Sequence, residues 1–99
     1  MAEEIRIRKL ELVVAGDPWG ANHLINLSSL YMKRAENLQR MNEAKQADQA
    51  LQRVEELFAR LQRVAGPSHL TWTVGGTMKL LQNKPEEAIA LLRKALAID

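Results

Sequence analysis

Every proline in this chain sits in a break between stretches of helical periodicity, and the three breaks leave little choice of fold. Gly66-Pro67-Ser68 is the sharpest. Glycine ends a helix in the left-handed region, proline cannot continue it, and Ser68 caps the next one. Asn83-Lys84-Pro85 breaks the chain again, with Pro85 at a first helical position. At Gly16-Asp17-Pro18 a helix end is followed by a cap with proline just after it. Between the breaks, apolar residues recur every three or four positions. Leu24, Leu27, Tyr31, Ala35 and Leu38 mark a helix over 22–42, with Asn22 as its expected N-cap. Ala47, Leu51, Val54, Phe58, Leu61 and Val64 mark another over 44–65, and two more are expected over 69–82 and 86–98. Met41-Asn42-Glu43 holds neither glycine nor proline. We place a turn there because the alternative, one helix of about 40 residues, is rare in globular domains.

Residues 3–15 read two ways. Ile5, Ile7, Leu10, Leu12 and Val14 partly alternate with charged residues, as in a strand, while Ile7, Leu10 and Val14 fit one helical face. A lone strand has nothing in this chain to pair with. Helix is the favoured reading, and a strand would signal pairing with a second copy.

Composition narrows the class. At 99 residues there is one domain with a thin core. Only Trp19, Tyr31, Phe58 and Trp72 are aromatic, so aliphatic side chains must build that core. The absence of cysteine excludes disulfides, iron–sulfur clusters and cysteine-ligated zinc. No apolar run approaches the ~20 residues of a spanning helix, and Met1-Ala2-Glu3-Glu4 is acidic where a signal peptide is basic. A soluble, cytoplasmic protein is expected, with no membrane contact. Fourteen Lys and Arg face twelve Asp and Glu, and the arginines are scattered, without the dense stripe and stacking aromatics of a nucleic-acid footprint. A nucleic-acid partner is the less favoured alternative, tested by salt-dependent binding.

Within residues 69–99, Trp72 is followed four positions on by Gly76. Ala88 and Ala95 lie seven apart, with the bulky Leu92 between them. This order of residues resembles the tetratricopeptide repeat, a helix–turn–helix of 34 residues. The resemblance departs at Gly75, where leucine is usual, and at Lys79, where an aromatic is usual. Residues 22–65 resemble a degenerate second unit, with Ala50-Leu51 set against Ala88-Ile89 and a period of 38 rather than 34. The implied fold is all-α: antiparallel helix pairs in a right-handed superhelix of about two repeats, with 1–17 as an N-terminal element.

The resemblance also implies function. Such repeats are non-enzymatic scaffolds that receive a peptide or helix in a groove lined by the first helix of each pair. Carried over, the groove positions are Leu70, Thr73, Thr77, Leu80 and Leu81, although the leucines equally suit a core. The places where some members clamp a carboxylate hold Thr73, Val74 and Thr77, so an apolar ligand such as an amphipathic helix fits better. An adaptor, chaperone or assembly factor is the expected role, with a self-assembling structural subunit as the alternative.

Nothing in the sequence assembles an enzyme. His23 and His69 lack ligand-spaced companions, Ser28-Ser29 has no base in register, and adjacent pairs such as Glu55-Glu56 point to different faces. Gly75-Gly76 lacks the lysine and hydroxyl of a phosphate loop. No cofactor or metal is expected. The last helix carries Ile89, Leu91, Leu92, Leu96 and Ile98, more than one neighbour can cover. A homodimer is expected, through that helix or by exchange of the Ile5–Val14 segment.

Overall fold

Residues 3–15 are helical. The computed structural model describes residues 2–98, and its first element, α1, spans Ala2–Gly16 with Glu3 and Glu4 in the first turn, where acidic charge suits the helix dipole. Four helices follow: α2 (Ala21–Arg40), α3 (Ala44–Ala65), α4 (His69–Leu81) and α5 (Pro85–Ile98). No strand occurs among the described residues. Ile7 and Val14 of α1 are buried and Leu10 packs beside them, the helical reading of the ambiguous segment.

Two helix ends differ from expectation. The N-cap of α2 is Gly20 rather than Asn22, and Pro18 lies in the preceding turn rather than in a helix. The side chain of Asp17 folds back across this corner towards His23, so closely that a Cβ on residue 20 would collide with its carboxylate. A larger residue there would have to displace the exposed Asp17 side chain. Ser68 caps α4 as expected, its Oγ accepting from Thr71 N at 3.2 Å.

The soft break between α2 and α3 is a full helix stop. Asn42 adopts φ 59°, Glu43 N donates to Leu38 O at 2.8 Å and Asn42 N donates to Gln39 O at 3.1 Å. This is a Schellman ending with asparagine in the left-handed position. Asn83 repeats it with φ 60°, Lys84 N donating to Lys79 O at 2.9 Å and Asn83 N to Leu80 O at 3.0 Å. The matching turns set the two helix pairs in register at an offset of 41 residues. The expected offset of 38 was wrong because it aligned alanines in the second helices and ignored the turns. At 41, Tyr31 matches Trp72, Ala35 matches Gly76, Ala47 matches Ala88, Leu51 matches Leu92 and Val54 matches Ala95. Ala35, Ala47, Leu51, Val54, Gly76, Ala88 and Ala95 are all buried.

The small residues let backbones approach. Within the second pair, a Cβ built at Gly76 would meet Leu92 Cγ and Cδ2 at 2.6 Å and Ala88 O at 3.5 Å. A Cβ at Gly75 would meet Phe58 Cζ at 2.5 Å, so α3 presses on the next glycine. Two glycines inside a helix cost about 1 kcal/mol each relative to alanine. Here α4 runs through both unbroken, its bare backbone covered by Phe58 on one side and Leu92 on the other.

α2 packs on α1, α3 and α4, and α4 packs on α2, α3 and α5. The result is a slab with principal extents of 38 × 33 × 17 Å, the thickness of two helix layers. The main core, with Leu24, Leu27, Leu57, Leu61, Val74 and Met78, lies where α2, α3 and α4 meet. A smaller alanine-rich cluster of Ala35, Ala47, Ala50 and Leu51 closes the α2–α3 turn.

Gly76→Ala is expected to lower stability in urea unfolding by about 1–2 kcal/mol despite its better helix propensity, because overpacking outweighs that gain. In a Leu92→Ala background the same substitution is expected to be neutral or stabilising, its Cβ entering vacated space. An equal cost in both backgrounds would show that the Gly76–Leu92 contact is not what demands glycine.

Candidate functional site

The helical spacing of α4 brings Leu70, Thr73, Val74, Thr77 and Leu81 to one face, and the layer packing sets that face beside α2. Ile25, Ser29, Met32, Lys33 and Glu36 line the α2 side. Together they enclose an open cleft of about 360 Å³ with a mostly apolar floor. Leu70 is 52% exposed, a large aliphatic side chain left to solvent at the rim. At the far end Gln39 Nε2 donates to Leu81 O at 2.6 Å, tying the C-terminal ends of the two helices together.

Four of the five expected groove residues, Leu70, Thr73, Thr77 and Leu81, line this cleft. Leu80 does not; it is exposed on a neighbouring face of α4. The cleft also contains Val74 and the α2 residues, which sequence reasoning did not assign. The signal for the latter was present in the 41-residue register: α2 is the first helix of its pair, as α4 is of the next.

The polar groups in the cleft are few. Thr73 Oγ1 donates to His69 O at 2.8 Å, so its methyl group is left for the cleft. Glu36 is neutralised by Arg40 at 2.7 Å, which leaves Lys33 as the lining charge without an ion pair among the described residues. The arrangement can bury an apolar surface and pair one carboxylate.

The remaining expected residues are dispersed. Trp72 is half-buried, with Lys94 Nζ 4.8 Å from its ring centroid, and Leu92 lies against Gly76. Ile89 and Leu96 are exposed on one stripe of α5. Ile98, nine residues from Ile89, falls on the opposite flank, and Leu91 is partly buried, so the four do not form one face. His69 Nδ1 lies 3.2 Å from Ala95 O, and His23 faces Asp17 at 3.8 Å. No group of metal-binding side chains occurs among the described residues, and no helix there is long and apolar enough to cross a membrane.

A second cleft of about 560 Å³ is lined by Tyr31, Arg34, Gln46, Gln49 and Arg53. Its arginines are already engaged. Arg53 grips Glu11 through Nη2 at 2.6 Å and Nε at 3.1 Å and reaches Glu56 at 3.1 Å, while Arg34 lies 3.8 Å from Glu4. Tyr31 donates to the same Glu11 carboxylate at 2.6 Å. One carboxylate therefore ties α1 to both α2 and α3. A forked, half-buried pair contributes more than the ~0.2–1 kcal/mol of an exposed one.

Comparison with family models, with curated proteins and with solved structures finds no match to this chain.

The Glu11 cluster titrates in opposite directions at its two ends. The Arg53 hydrogen bonds hold the Glu11 carboxyl below its ordinary value of 4.5, against the opposing effect of burial. Its contribution to stability is full above that value and is lost as pH falls through the folded one. Burial, then the hydrogen bond to Glu11, pushes the Tyr31 phenol up to about 12. Its contribution is full below pH 10 and is lost as pH rises through 12. Tyr31 is the only tyrosine, so ultraviolet titration reads it directly. A midpoint near 12 is expected while the helical signal persists, falling part of the way towards 10 in Glu11→Gln. An unshifted midpoint in the native chain would remove the Tyr31–Glu11 link.

Proposed function

We propose that this chain is a non-enzymatic protein-interaction module of the tetratricopeptide type, acting as an adaptor, chaperone or assembly factor. Its α2–α4 cleft receives a peptide or amphipathic helix. The observation that carries this reading is the cleft itself: an open, mostly apolar trough between the equivalent first helices of two pairs, with an exposed Leu70 at its rim. The 41-residue register supports the family reading, because it sets an aromatic, a small residue and an alanine at matching positions in both pairs. The seven residues beyond the usual 34 add two turns, in keeping with the 22-residue length of α3.

The test isolates the partner by pull-down, then measures its binding to Leu70→Glu and Thr77→Lys. Both residues lie at the cleft and outside the core cluster. Loss of at least tenfold in affinity with unchanged helical circular dichroism is expected. Retained affinity in both variants would place the partner elsewhere and sink the cleft reading.

We further propose a homodimer formed by α5 against α5. Glu86 and Arg93 lie seven residues apart, flanking Ile89, with Leu96 beyond. An antiparallel two-fold pairing near Ile89 sets each Glu86 against the partner copy's arginine and covers the exposed isoleucines. A dimer mass by light scattering at micromolar concentration is expected. Glu86→Arg should dissociate it, and adding Arg93→Glu should restore it. A monomeric wild-type chain would end this proposal.

A further inference from the structure

α1 carries two apolar stripes on opposite sides. Ile7, Leu10 and Val14 face the core. Ile5 and Leu12, two helical turns apart, face outward with Val13 beside them, and they are 55%, 74% and 41% exposed. A helix covered on one side needs one stripe, so the outer one is surplus to the fold.

The charges around it are one-sided. Arg6, Arg8 and Lys9 are exposed, and none enters an ion pair among the described residues. Of the three acids on α1, Glu3, three residues before Arg6, is half-buried and enters no ion pair among the described residues, and the other two hold partners on other helices. Glu4, one turn before Arg8, lies 3.8 Å from Arg34, and both Glu11 oxygens are taken by Arg53 and Tyr31.

A second copy does not supply the missing cover. The open stripe on α5, Ile89 to Leu96, has the same two-turn spacing, but Arg93 lies between them where Arg8 and Lys9 lie between Ile5 and Leu12. Docking in either direction sets cation against cation, a like-charge contact that disfavours the pair.

We propose that the outward face of α1 docks an acidic amphipathic helix of another protein, with aliphatic residues over Ile5 and Leu12 and carboxylates on Arg6, Arg8 and Lys9. Exposed charge pairs weaken as salt shortens their range to about 8 Å at physiological ionic strength, so the contact is salt-sensitive. This surface lies apart from the α2–α4 cleft and does not depend on it.

The experiment uses the whole chain and two designed, fluorescently labelled helices. Both carry leucines at seven-residue spacing; one has glutamates between them and the other lysines. Fluorescence anisotropy is read at low and physiological salt. The glutamate helix is expected to bind at least tenfold more tightly than the lysine helix, and more weakly as salt rises. Arg6→Glu, Arg8→Glu and Lys9→Glu together should reverse the preference, and Leu70→Glu should leave it unchanged. Ile5→Ser with Leu12→Ser, outside the core, should weaken binding without losing helicity, an independent check should the triple variant fail to fold. Four results overturn the proposal: neither helix binds; neither the triple nor the serine variant changes binding; binding is lost in Leu70→Glu; or anionic phospholipid vesicles or an oligonucleotide displace the glutamate helix at matched charge concentration.

Discussion

The approach of helix backbones at small residues is the constraint on which the rest depends. Where α4 meets α5, Leu92 occupies the place of a missing Cβ at Gly76, and the carbonyl of Ala88 lies 3.5 Å from that same position. Ala35 and Ala47, both fully buried, take the equivalent positions in the first pair. Side chains there would separate the helices, and separation would remove the dispersion contacts that a core of few aromatics relies on. The ~1 kcal/mol that each glycine costs as a helix former is offset by this packing.

Close pairing determines where the cleft lies. Phe58 reaches from α3 to Gly75, so the second pair is seated against the first by an aromatic ring on a bare stretch of backbone. α4 then lies between α3 and α2, with its Val74 and Met78 in the shared core and its Leu70–Thr77 edge beside α2. The cleft is the space left where α2 and α4 meet without a third helix over them. Its apolar floor continues the core, which is why Met32 and Val74 belong to both.

Much of this order is legible in the sequence. Glycine, proline and serine at 66–68 mark a boundary through local chemistry alone, and Pro85 opens α5 where its fixed backbone angle suits a first turn. The first pair's register is harder to read. Its stop depends on Asn42 in a left-handed conformation, which leaves a fainter trace than glycine. Tyr31 and Ala35 stand where tryptophan and glycine mark the other pair, so the equivalence emerges only when Asn42 is set against Asn83. With the register hidden, the α2 half of the cleft was hidden too. The helix start at Gly20 has no side-chain cap to mark it in the sequence. α1 is ambiguous for a different reason: apolar residues on opposite faces of a helix alternate along the sequence much as those of a strand do.

The three uncovered apolar surfaces differ in charge, and that difference sorts the occupants proposed for them. The cleft is nearly neutral, with Glu36 and Arg40 cancelling and Lys33 remaining, so shape and apolar contact dominate there. The α5 stripe carries Glu86 and Arg93 in an order that complements its own reverse, which favours a like surface. The outward face of α1 carries Arg6, Arg8 and Lys9 without ion pairs among the described residues, while Glu4 lies near Arg34 and Glu11 is held by Arg53. The Glu11–Arg53 pair that fastens α1 thus contributes to its one-sided exterior. An acid used for internal attachment is unavailable to screen the surface, and the unscreened surface selects against a second copy of itself.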